Sequence, residues 1–182
     1  MSITYEVKVD WDATDWLATP DFSEGIDDIS SYVKTIYIDR GKKVELGNTP
    51  AGTLDITLNN SDGRFSPPKP APSPLAGKMR PWLPVRVRAI VSGGALITFY
   101  AGFISKISVN PHKSVQEAYL YCTDGMDLLA RNMVAVNKSD RNMVTAGAAV
   151  GYVLDGAGWP AGKRSIDTDT GAIVNYPSTT EY

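Results

Sequence analysis

A strict alternation of apolar and polar residues is the feature that most constrains the fold of this chain. In residues 53–59 the aliphatic side chains all fall on one face of an extended strand: Leu54, Ile56 and Leu58. Residues 85–89 repeat the pattern, with valines on one face and arginines on the other: Val85, Val87, Arg86 and Arg88. The pattern predicts strands with one buried face and one face turned to water or to an interface.

Five more runs with strand character precede residue 123, so we expect about seven strands in all: 5–9, 32–38, 96–100, 103–109 and 115–122. Ser92-Gly93-Gly94 predicts a tight hairpin turn before the run at 96–100. Helical patterns begin only after these strands, where Asp124 and Thr145 are placed to cap short helices. The order predicts a mainly β fold, an antiparallel barrel or sandwich with appended helices.

The change of pattern also suggests a division of the chain. We expect a β-barrel domain over residues 1–122, and over residues 123–182 a helical extension with the start of a second domain. The tail has one strand-like piece at 172–174 and then becomes polar. We therefore expect the chain to have been cut from a longer one.

Composition argues against several kinds of chemistry. The chain has 18 Lys plus Arg and 20 Asp plus Glu, with no basic block, so we expect no binding along nucleic acid. Cys122 is the only cysteine and His112 the only histidine, too few for a disulfide or for a zinc site of cysteines and histidines. His112 follows a proline in a turn between strands, where we interpret it as a loop residue. We expect no enzyme activity, no cofactor and no metal.

Three other segments resemble known motifs only in part. Residues 156–164 resemble a phosphate-binding loop but lack its glycine spacing and its Ser or Thr. Residues 10–21 begin like a calcium loop but have Asp15 and Asp21 where such a loop has Gly and Glu. The uncharged run 89–105 is too short to span a membrane and is interrupted by Gly93-Gly94. The N-terminus lacks the pattern of a secretory signal, so we expect folding in a reducing cytoplasm.

A proline-rich arm, residues 66–84, separates the two clearest strands. It holds seven of the twelve prolines, which cannot join a ladder, so it runs extended over a surface or through solvent. Apolar residues within and beside the arm favour contact with a surface over a free linker: Phe65, Leu75, Met79 and Trp82. That surface is either a neighbouring subunit or the arm's own barrel, and we expect the neighbour.

The segment Leu54 to Pro67 contains the run Asn60-Ser61-Asp62-Gly63-Arg64-Phe65-Ser66-Pro67, which predicts a strong turn. This segment, the following Ser73-Pro74-Leu75 and the arginine strand together resemble the N-terminal part of minor tail proteins of long-tailed bacteriophages and prophages, those similar to the baseplate hub. Two further pieces fit: Tyr100-Ala101-Gly102-Phe103-Ile104 and the strand-to-helix step at 121–131. The resemblance covers about residues 5–160.

The resemblance implies a structural role at the tail tip. Such hub proteins form closed rings that continue the tail tube, join it to tip fibres and let DNA pass. On this basis we expect a homo-oligomeric ring in the virion tail, assembled in the bacterial cytoplasm and contacting tail-tube, distal-tail and tip-fibre proteins. We expect its interfaces to use the apolar residues of the arm, with Arg86 and Arg88 pairing with acidic groups on an adjacent ring.

Two other functions remain open from the sequence. A carbohydrate-binding module of a tail-tip or adhesion protein is compatible with four tryptophans near expected loops, which could instead seal the barrel ends: Trp11, Trp16, Trp82 and Trp159. A tail-associated hydrolase ranks third because no catalytic constellation is present in the sequence.

Overall fold

The computed structural model describes residues 3–15, 18–41, 50–66, 73–91, 96–110, 116–131, 144–166 and 173–174. The chain divides into two compact units, Met1–Leu128 and Leu129–Tyr182. Within the described residues, no helix has both the length and the apolar character needed to cross a membrane.

The first unit is built on one six-stranded sheet in which every neighbouring pair is antiparallel. Its strands are β1 (Ile3–Val9), β2 (Val33–Asp39), β3 (Thr53–Asn59), β4 (Pro84–Val91), β5 (Leu96–Asn110) and β6 (Glu117–Thr123). They lie in the order β1-β4-β5-β6-β3-β2, and the sheet curls into a half-barrel. This architecture confirms the predicted mainly β fold.

The apolar residues of the two alternating runs point into the core. Leu54, Ile56 and Leu58 on β3 are at most 1% exposed, as are Val85 and Val87 on β4. A strand turns successive side chains to opposite faces, so each strand contributes alternate residues to the core between the curled walls. The predicted inward face is confirmed at all five positions.

The prediction of two separate strands at 96–100 and 103–109 is wrong. Runs 96–100 and 103–109 are one continuous strand of 15 residues, which pairs with β4 through its first half and with β6 from Phe103 onward. Gly102 does not interrupt the strand. Its missing side chain allows close approach, because a Cβ there would lie 2.4 Å from the carbonyl oxygen of Thr123. The turn predicted at 92–94 lies outside the described residues, although β4 and β5 pair as a hairpin requires.

Both predicted helix starts are confirmed. Helix α1 (Gly125–Arg131) follows Asp124, whose carboxylate accepts a hydrogen bond from the Met126 amide at 3.0 Å. In the second unit, α2 (Ala146–Gly156) begins after Thr145, whose hydroxyl accepts from the Ala148 amide at 3.2 Å. Two short strands pair in the same unit, β7 (Val144–Thr145) and β8 (Ile173–Val174).

The turn after β3 buries an aromatic side chain. The Asn60 side-chain oxygen accepts from the Phe65 amide at 2.9 Å, and its amide nitrogen donates to the Ser66 hydroxyl at 2.8 Å. Gly63 adopts φ +70°, which glycine takes at little cost, and its amide donates to the Asn60 carbonyl. The strong turn predicted after residue 59 is therefore present, and it holds Phe65 in the core.

Candidate assembly surfaces

The described part of the proline-rich arm packs against its own domain. Phe65 and Leu75 are 0% and 1% exposed and belong to the barrel's core, and Met79 packs against that core. A side chain buried in its own domain has no surface to offer a neighbour. The interface hypothesis is therefore corrected for Phe65 and Leu75, which stabilise the barrel itself.

Polar contacts also attach the arm to its own barrel. The Ser73 hydroxyl donates to the Arg64 carbonyl at 2.5 Å, and Lys78 pairs with Asp12 at 2.7 Å. The Arg80 guanidinium donates to the carbonyl of Ala13. Trp82 is half-buried at φ +69°, and its amide donates to the Ile104 carbonyl at 2.6 Å. Residues 73–83 thus run along the barrel wall, and Pro84 begins β4.

Arg86 and Arg88 lie on the outer face of β4, as their alternation with Val85 and Val87 predicted. The register of β4 against β1 places Lys8 opposite Arg86 and Glu6 opposite Arg88. We call this group of four residues the arginine face. Glu6 is 3.7 Å from the Arg86 guanidinium and 3.5 Å from the Lys8 ammonium. The face therefore carries three cations and one carboxylate.

The arginine face is partly shielded from water. The Arg86 guanidinium stacks over the Phe22 ring at 4.3 Å. Partial burial, and then the charge of Arg88, lowers the pKa of Arg86. Among the described residues the Nε atoms of Arg86 and Arg88 are buried without a hydrogen-bond partner. Within the described part of the chain, Glu6 Oε2 is buried there without a hydrogen-bond partner as well, so these three atoms are not accessible to a neighbour. What the face offers a partner is its excess of positive charge.

No described strand joins the two edge strands of the half-barrel, β1 and β2, so the sheet is open between them. Residues 27–30 cover part of the β1 edge, where the Ile29 amide donates to the Val7 carbonyl and the Val9 amide to the Asp27 carbonyl, both at 3.0 Å. Beyond this cover lies a groove of about 510 Å³, which we call the seam groove. Aliphatic and aromatic side chains form much of its lining: Tyr5, Val7, Val33, Ile36, Ile38 and Phe99.

An apolar patch adjoins the seam groove on β1 and β5. Its side chains are 39–51% exposed: Tyr5, Ile97 and Phe99. Tyr5 and Phe99 meet edge to face, with ring centroids 6.2 Å apart. Contiguous exposed apolar side chains of this kind mark interaction surfaces more often than isolated ones do.

The described residues contain no group of three or more His, Cys, Asp or Glu side chains arranged to hold a metal ion. Two buried aspartates accept hydrogen bonds from backbone amides: Asp10, which begins the calcium-like segment, and Asp27, which lies beyond it. Asp10 accepts from the Asp12 and Asp21 amides, and Asp27 accepts from the Glu24 amide. Burial raises the pKa of Asp27. His112 lies outside the described residues.

The tryptophans give little support to a sugar-binding face. Trp11 is 1% exposed and packs near Phe65 in the core, so it seals the barrel. Trp82 and Trp159 are half-buried, and Trp16 lies outside the described residues.

The thiol of Cys122 should react slowly with alkylating reagents in the folded protein. It is 3% exposed on β6, and burial raises the pKa of its thiol well above the ordinary value. We expect a maleimide at neutral pH to label the native chain at least about a hundredfold more slowly than the urea-unfolded chain, because the thiolate is the nucleophile. Equal rates in the two states would contradict the burial of β6.

Sequence reasoning missed several residues of these surfaces. Glu6 and Lys8 lie within an alternating run, so their outward direction could have been inferred, but their position beside the arginines depends on the β1–β4 pairing. No local sequence pattern could have predicted the seam groove, because it depends on β1 and β2 not pairing with each other.

Comparison with protein-family models finds no family that matches this chain. Comparison with curated proteins finds no match either.

Proposed function

We propose that this chain is a non-enzymatic structural component of a phage tail tip, part of the hub or baseplate ring that continues the tail tube. The observation that carries the proposal is a β domain whose barrel is left open between two edge strands, with an apolar patch beside the opening. Exposed strand edges of this kind invite pairing with another chain unless they are protected. The resemblance of residues 5–160 to minor tail proteins supports the same role.

In this role the chain forms a closed homo-oligomer. Its neighbours are tail-tube, distal-tail and tip-fibre proteins of the virion tail. The arginine face contacts acidic groups on an adjacent ring. Three cations around one carboxylate provide the charge complementarity.

Sedimentation velocity of the purified chain tests the oligomer directly. We expect one discrete species larger than a monomer across a hundredfold range of concentration, because a closed ring has no free ends to extend. Glycan-array binding by the same preparation, if it sedimented as a monomer, would favour the carbohydrate-binding alternative instead.

Neutralising the arginine face should weaken binding to an acidic neighbour. We expect a chain with Arg86→Gln and Arg88→Gln to bind an adjacent tail protein at least about tenfold more weakly, about 1.4 kcal/mol. The loss should shrink at high salt. Lys106→Gln is the matched control, because Lys106 is exposed on β5 and lies near the ring of Tyr121. Equal affinities for the two variants would argue against this surface.

A further inference from the structure

The open edge of β2 offers backbone hydrogen-bonding groups beside the seam groove. Antiparallel ladders alternate, so successive residues direct their N–H and C=O groups to opposite sides. The Asn60 amide donates toward the β6 side, to the Gln116 carbonyl, so the odd-numbered residues of β3 bond to β2. On β2, Thr35 pairs with Thr57 and Tyr37 with Asp55. The backbone groups of Ile36 and Ile38 therefore face the open edge.

The first half of β5 has a second open edge. Residues 96–102 pair with β4 on one side, whereas on the other side β6 begins its pairing at Phe103. The described strands therefore leave residues 96–101 without a neighbour on that side. Leu96, Ile97 and Phe99 are 55%, 49% and 39% exposed there. This half-strand is extended, apolar and already held in shape by β4.

We propose that the first half of β5 in one copy of the chain pairs with the β2 edge of the next copy and covers its seam groove. This inference rests on the proposed ring and names its subunit contact. In the part of the chain that the structure describes, both edges have backbone groups without a strand partner, and both adjoin apolar side chains that the contact would bury.

A second copy is the occupant because one domain carries both halves of the contact. The two edges are different surfaces, so their pairing is head-to-tail. Repeated head-to-tail contacts close into a ring when the rotation between copies permits it. A two-fold dimer, in which β2 pairs with β2, would leave the β5 edge and its exposed leucine and isoleucine uncovered.

Cross-linking tests the contact with two single-cysteine additions at exposed positions, Tyr37→Cys on β2 and Leu96→Cys on β5. Tyr37 is 64% exposed, so both substitutions spare the core, and the buried Cys122 provides a low background. A short bis-maleimide is added to each variant alone and to an equimolar mixture. We expect covalent dimers in the mixture and at most background in either variant alone. One chain carrying both cysteines should give a ladder of covalent oligomers.

Tyr37→Cys mixed with Ser61→Cys is the control, because Ser61 lies in the exposed turn after β3. If this control mixture cross-links as well as the test mixture does, the dimers reflect random collision and the inference fails. Dimers formed by Tyr37→Cys alone would show two-fold β2 pairing and also overturn it. An oligomer in sedimentation without Tyr37–Leu96 cross-links would refute this contact while leaving the ring intact. A monomer without cross-links would refute both.

Discussion

Replacing Phe65 by alanine is expected to lower the free energy of unfolding by about 3–5 kcal/mol, the range for a large aromatic residue lost from a core. The Phe65 ring is 0% exposed and meets Tyr32 edge to face at 5.4 Å. Its backbone amide is held by Asn60, so the surrounding turn cannot easily collapse into the cavity. Urea denaturation followed by tryptophan fluorescence measures the loss.

Phe99→Ala is the matched control for this prediction. Phe99 is 39% exposed on the rim of the seam groove, so its truncation removes less buried area and opens no closed cavity. We expect a clearly smaller loss than for Phe65→Ala. Similar losses for the two variants, or a loss below about 1 kcal/mol for Phe65→Ala, would contradict the placement of the turn in the core.

Replacing Gly102 by alanine is the second substitution with a large expected effect. The added Cβ would lie 2.4 Å from the Thr123 carbonyl oxygen and 2.8 Å from the Tyr100 ring. Tyr100 is 1% exposed and donates to the Gly52 carbonyl, so neither neighbour can move without disturbing the core. We expect a loss of about 1–3 kcal/mol, typical of overpacking, measured by the same denaturation.

Gly25→Ala controls for the change of glycine to alanine itself. An added Cβ at Gly25 meets no atom within 4 Å, and Gly25 does not have a positive φ. We expect a change within about 0.5 kcal/mol, as for an ordinary surface substitution. If Gly102→Ala is as stable as Gly25→Ala, β5 and β6 do not approach as closely as the structure has them.

The strand faces could be predicted from sequence because alternation is local. Leu54 and Val85 need only their own neighbours in sequence to show which face is buried. The same reasoning failed at Gly102, since a glycine within a strand pattern marks either an interruption or a close backbone approach. The distance to Thr123 decides between them, and that contact spans 21 residues.

The arm shows a second limit of local reasoning. An apolar residue such as Leu75 fits a pocket on its own barrel as well as one on a neighbour. The sequence shows that the residue is apolar, but it does not show which surface buries it. The structure assigns Phe65 and Leu75 to their own core. The surfaces that we propose for assembly are the arginine face and the open edges of β2 and β5, and they depend on pairing between strands distant in sequence.

Negative-stain electron microscopy of the purified chain tests the central proposal most directly. Closed rings of uniform size with a central opening are the expected result, since a hub that continues the tail tube must leave a passage for DNA. Monomers at every concentration tested, or open filaments without closed rings, would contradict the proposed function.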